Sequence, residues 1–129
     1  MTTDATTAAV PPAGASAAIR RQAQLWYWQR ISAMVLAVCV IVHLAVIIYA
    51  VRGGLSAAEI LGRTRGSWSF GAFYAVFVVA CAIHAPIGVA NIVAEATGER
   101  GSWSVAIASI LALVILAMGL RAVYAVVGP

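Results

Sequence analysis

Residues 31–51 are 21 consecutive positions without a charged side chain. At about 1.5 Å of rise per residue, a helix of that length crosses a hydrocarbon core of about 30 Å. A run of this kind has few ways to be stable. In water it would need a large protein around it, and in lipid its backbone groups must all be satisfied within the segment, which selects a helix. Two further apolar blocks follow, at about 68–94 and 103–127, so the sequence predicts three membrane spans, the first at about 25–51. Composition excludes the alternative of a soluble domain. Only 9% of the 129 residues are charged, against roughly 25% in soluble domains, too few to cover a water-facing surface.

The ends of the blocks look like membrane interfaces. Trp26, Tyr27 and Trp28 mark one end of the first span and Tyr49 the other, as an aromatic belt does. The basic residues are all arginines, Arg20, Arg21, Arg30, Arg52, Arg63, Arg65, Arg100 and Arg121, at or near block ends. That placement suits lipid headgroups or a docked partner. It excludes nucleic-acid binding, because there is no folded polar face to carry a basic patch. Charge does not orient the chain: Arg20, Arg21, Arg30 and Arg100 share one side, and Arg52, Arg63, Arg65 and Arg121 the other.

The rest of the chain is connection. Residues 1–23 are expected to be a disordered tail: 1–19 are rich in Ala, Thr and Pro and show no apolar periodicity. The tail does not read as a signal peptide, and the long run after Arg20-Arg21 reads as an uncleaved first span. Residues 24–129 form the folded domain. Between the first two spans, Ser56 followed by Glu59 is a capping-box signature, which predicts a short surface helix. Cys39 and Cys81 both lie inside apolar blocks, at no zinc or redox spacing, and read as small packing residues.

His43 and His84 are the only histidines, and each lies well inside a span. Ionisable residues at membrane depth are costly and point to function. Steps of three and four from His43 reach Cys39, Leu36, Ser32 and Gln29. From His84 they reach Phe77, Ala80 and Cys81 on one side, and Gly88, Asn91 and Glu95 on the other. Each histidine therefore lies on the small, polar stripe of its helix. A proton relay would bring mid-span carboxylates, and Glu95 at a helix end is no substitute. Axial ligation of a haem needs neutral imidazoles and little else. Small neighbours leave room for a macrocycle, or simply let helices approach closely. Pro86 releases the Ala82 carbonyl and is expected to kink the second span.

Three stretches together resemble the cytochrome b membrane-anchor subunits of succinate dehydrogenase and quinol:fumarate reductase. Gln29-Arg30-Ile31-Ser32 is similar to that family's His-Arg-x-Ser-Gly pattern. Val40-Ile41-Val42-His43-Leu44 resembles the first-helix haem histidine of two-haem members. His84-Ala85-Pro86-Ile87-Gly88, followed by Glu95, resembles the second-helix His-x-x-x-Gly motif. Departures are Gln29 for the frequent His, Ala33 for Gly, Ala90 and Asn91 where some members have propionate-contacting Arg and His, and Trp26 in place of a quinone-site Ser.

The resemblance implies an all-α, three-transmembrane-helix anchor, part of a haem-binding helix bundle. His43 and His84 would be iron ligands, and Arg30, Ser32 and Gly88 would line the cofactor site. One or two haem b groups per complex are implied, with quinone as electron partner. The implied partners are a flavoprotein with FAD, an iron–sulfur protein carrying the clusters, membrane lipid, and a second membrane anchor or second copy of this chain. The place would be a bacterial inner membrane with the N-terminus cytoplasmic, and the role electron transport in the tricarboxylic acid cycle. The alternatives are a haem-free anchor of a redox enzyme and an unrelated small transport or assembly subunit. Taking Arg30 and Glu95 as level puts His43 about 20 Å and His84 about 16 Å deep. That leaves one shared haem possible, while the two-haem members favour a separate haem for each histidine, completed by a partner histidine.

Overall fold

The computed structural model describes residues 13–98 and 101–129, as four helices. They are α1 (Ala13–Arg52), α2 (Ala57–Thr64), α3 (Trp68–Thr97) and α4 (Ser102–Val127). The three long ones are apolar and long enough to cross a bilayer, so the all-α, three-span architecture stands.

α1 is longer than the sequence suggests. It begins at Ala13, a dozen residues before the expected start of the span. Of the tail expected to be disordered, residues 1–12 lie outside the described residues, and 13–23 are helical. The reason is local: past Gly14 the segment is Ala, Ser, Ile, Arg and Gln, mostly strong helix formers, with no breaker before the span. α1 ends where glycine allows. Gly54 takes the left-handed conformation at φ 63°, Leu55 N–H donates to Ala50 O at 3.0 Å, and Gly54 N–H to Val51 O at 3.1 Å. That pair of bonds closes a helix C-terminus through an αL residue.

α2 carries the expected capping box. Ser56 Oγ accepts from Glu59 N–H at 3.3 Å, and Ser56 N–H donates to Glu59 Oε2 at 2.8 Å. The C-terminal end of α2 is tied to the last turn of α4. Thr64 Oγ1 donates to Val126 O at 2.9 Å, and Gly66 N–H to Val127 O at 2.9 Å. Those α4 carbonyls would otherwise be unpaired. α3 runs through Pro86 without ending and stops at Gly98, again left-handed at φ 70°.

α3 is the middle of the layer. It packs against α1 on one side and more extensively against α4 on the other, and α1 and α4 hardly touch. The close contacts use small residues, as membrane helices require. Ser32 and Cys39 of α1 and Ala80 of α3 are buried. At Gly119 of α4, an added Cβ would lie 2.5 Å from Val78 Cγ1 of α3. Most other apolar side chains of α3 are half-buried, while many on α1 and α4, including Met34, Ile41, Leu113 and Met118, are exposed and make a lipid-facing or partner-facing surface.

Candidate functional site

The seam between α1 and α3 contains both histidines, and the helices cross it antiparallel. His84 lies beside Gln29 and Ser32, whereas His43 lies beside Tyr74 and Phe77. Carried along both helices, this register sets Tyr49 level with about residue 68 of α3. Since His84 is level with Ser32, eleven residues of α1 separate the two histidine levels. At about 1.5 Å per residue that is about 16 Å along the membrane normal. Each histidine lies about 8–9 Å inside one aromatic band, His84 below Trp26–Trp28 and His43 above Tyr49.

This corrects the depth comparison made from sequence. Arg30 and Glu95 are not level, because α1 and α3 both continue past the aromatic band. Arg30 is instead near the level of Pro86, and Glu95 stands about two turns further out.

The two imidazoles have different surroundings. His84 Nδ1 is 3.3 Å from the carbonyl oxygen of Gln29 and 3.4 Å from Ser32 Oγ. Ser32 donates its own proton to Trp28 O at 2.6 Å, so its oxygen is an acceptor toward His84, as Gln29 O must be. Both contacts assign the proton of the neutral ring to Nδ1. Nε2 then keeps its lone pair and has no protein partner among the described residues. His43 has no such support. Its ring stands edge-on to Tyr74 and Phe77, with centroids 5.7 and 5.8 Å away, and its Nδ1 is buried without a hydrogen bond.

Gly88 lies one turn beyond His84. A Cβ there would come within 3.3 Å of Gln29 Nε2, so the bare glycine backbone is what admits the Gln29 amide. Gln29 Oε1 is itself buried and unpaired. Ser32, His84, Gly88 and Gln29 thus form one group. Arg30 does not join it. Two residues before Ser32, it points about 200° around α1, exposed, its guanidinium carbon 5.1 Å from the Trp26 ring centroid. His43 is likewise apart from the group. Among the described residues no three His, Cys, Asp or Glu side chains converge as a metal cage.

Sequence reasoning placed Gln29 on the stripe of His43 and noted it as a substitution, whereas the structure sets it beside His84; Tyr74 was not singled out at all. The signal for both was the register: once His84 is paired with Ser32, Tyr74 follows as the neighbour of His43.

The fold and seam define a class: a small three-span helical membrane subunit with paired histidines on an inner stripe. Residues 10–121 match the succinate dehydrogenase/fumarate reductase transmembrane subunit family, and the chain belongs to it. No curated protein and no solved structure matches it. Family membership makes the protein a membrane-anchor subunit, associated with a complex of the succinate dehydrogenase/fumarate reductase type.

Proposed function

We propose that this chain is the haem b-bearing anchor of such a complex, passing electrons between a flavin and iron–sulfur module and the quinone pool. The observation that carries the reading is the pair of acceptors beside His84 Nδ1, which assigns the ring proton to that nitrogen. A ligating imidazole characteristically donates its remote N–H to a carbonyl or similar acceptor, which orients the ring and raises its basicity. Gln29 O and Ser32 Oγ are those acceptors, and Nε2 is left with its lone pair. The unpaired Nδ1 of His43 is the second sign, a buried polar atom that costs stability until something satisfies it.

These residues fit haem better than a free metal ion. Haem would supply the one-electron iron chemistry and most of its own ligands, so the protein would be asked only for the imidazoles of His43 and His84. That agrees with isolated histidines outside any cage. The separation of about 16 Å favours a different haem for each histidine over one shared iron. His84 serves a site nearer the N-terminal face and His43 a site nearer the loop between α1 and α3. Each is completed by an imidazole from a second anchor chain or a second copy. Ser32 and Gly88 lie at the His84 site. Arg30 and Trp26 face outward at the N-terminal end, where they suit a docked iron–sulfur subunit. The flavoprotein is reached through that subunit, and the N-terminal face is cytoplasmic in a bacterial inner membrane.

A reduced-minus-oxidised spectrum of the purified complex tests the reading, followed by redox titration of His43→Ala and His84→Ala. Two haems predict that each change removes or shifts one component and leaves the other. Loss of all haem signal in either variant would show a single shared haem. No haem band in the unmodified complex would leave a haem-free anchor.

A further inference from the structure

Because α1 and α4 both pack on α3 and hardly on each other, a groove of about 710 Å³ opens between their N-terminal-face halves, floored by α3 around Pro86 and Ala90. That size is within the range of about 300–1,000 Å³ typical of ligand sites. Its depth comes from small side chains, Ala82 and Ala90 on the floor and Ala108 on the α4 wall.

We propose that this groove binds an anionic phospholipid, with an acyl chain along the groove and the phosphate at Arg21. The argument rests on where polarity lies. Among the described residues Arg21 is the one charged side chain lining the groove, and none of them lining it is a carboxylate. It stands six residues beyond Tyr27 on α1, about 9 Å outside the aromatic band, at headgroup depth. The inner wall has little to offer a polar headgroup. The hydroxyls of Ser104 and Ser109 donate to carbonyls of their own helix, Gly101 O and Val105 O, both at 2.8 Å. Neither serine has a proton to spare for a quinone ring, and the other polar side chains on the walls are Gln22, Asn91 and the Trp28 indole. A chain that is apolar along its length and anionic at its end matches both the wall and the mouth.

The site is separate from the histidine group. It is lined by Leu25, Ala82 and Ile83 and not by His84 or Gly88, so it stands independently of the haem reading.

The test uses the intact complex, extracted with its lipids and exchanged into phosphatidylcholine nanodiscs containing a minor fraction of phosphatidylglycerol, with bound lipid measured by mass spectrometry. The unmodified complex should retain phosphatidylglycerol in preference to phosphatidylcholine. Arg21→Gln should lower that retention about fivefold, the effect of one arginine at a lipid surface. Ala108→Phe should displace the lipid with Arg21 intact, and Arg121→Gln, at the far end of α4, should change nothing. Equal retention in Arg21→Gln or Ala108→Phe overturns the proposal. So does recovery of quinone, or a cross-link from position 108 to a partner polypeptide, in place of lipid. The haem spectrum of each variant keeps this result apart from that of the haem reading.

Discussion

A buried imidazole has two nitrogens to satisfy, and the two histidines here differ in how that is done. His84 has its Nδ1 proton placed by Gln29 O and Ser32 Oγ, while His43 Nδ1 is left unpaired. Ser32→Ala therefore removes one of two acceptors without unseating the ring. It should leave haem content near normal and move the potential of one haem by roughly 20–60 mV, the one-electron equivalent of about 1 kcal/mol of hydrogen bonding. Ser32→Thr should restore it, and equilibrium redox titration reads both. Gly88→Ala should push the Gln29 amide aside, since the new Cβ meets it at 3.3 Å. We expect a destabilisation of about 1 kcal/mol, read by thermal loss of the haem band. The histidines themselves were legible in the sequence, because an ionisable residue in an apolar run stands out. Their relation was not. It depends on how far α1 and α3 extend past the membrane, and no residue near Arg30 or Glu95 marks that.

At the scale of elements, local signals were reliable and long-range ones silent. The α2 capping box was legible because Ser56 and Glu59 contact each other across a single turn. Ser56→Ala should cost about 1 kcal/mol of α2 stability, seen as faster amide exchange over 57–64 with α3 unchanged. The Ser56 hydroxyl, and then its backbone N–H, hold the Glu59 carboxyl below the usual carboxylate range. A lowered folded pKa gives stability that is present above the unfolded value and lost as pH falls through the folded one. The protection of α2 should therefore drop only on acidification below the ordinary carboxylate range, and the Ser56→Ala variant, which keeps the backbone N–H to Glu59, should show a smaller step. The α3–α4 contact gave no sequence signal, since the polar stripe of α3 carries His84 toward α1 and the remaining faces of α3 and α4 are alike in being apolar. At Gly119 the α4 backbone lies close against Val78 of α3, so Gly119→Ala should cost about 1–3 kcal/mol by overpacking. Gly62→Ala in α2 meets open space and should be neutral or stabilising by about 0.5–1 kcal/mol. Chemical denaturation of the two variants side by side separates packing from propensity.

The whole molecule is a single layer of three long helices with very little sealed inside. Cys39 and Ala80 are the buried hydrophobic residues among those described. Its class could be read from three long apolar blocks alone. Its arrangement could not, because lipid-facing and partner-facing surfaces are equally apolar and only a partner distinguishes them. The upstream extension of α1 escaped prediction for another reason: a polar, Ala-rich segment has no periodicity but still propagates a helix already begun at the span. A layer this thin should be held by assembly. The isolated chain in detergent should unfold at lower temperature than the complex, and a monodisperse, haem-loaded monomer would contradict the expectation. For topology, Ser56→Cys, at the start of α2, and Gly98→Cys, at the C-terminal end of α3, should label from opposite sides, Gly98→Cys from the cytoplasm.

The unpaired atoms at Gln29 Oε1 and His43 Nδ1 bear on how much of this protein a cell can keep. Each costs about 1–3 kcal/mol while unsatisfied, and a small membrane chain has little margin from which to absorb it. Whatever binds only the folded form lifts that handicap by mass action, and quality-control proteases act on the remainder. With haem as the proposed ligand, abundance should then follow cofactor supply. In cells unable to make haem, pulse-chase should show newly made chain degraded several-fold faster, even while its message is translated at the usual rate.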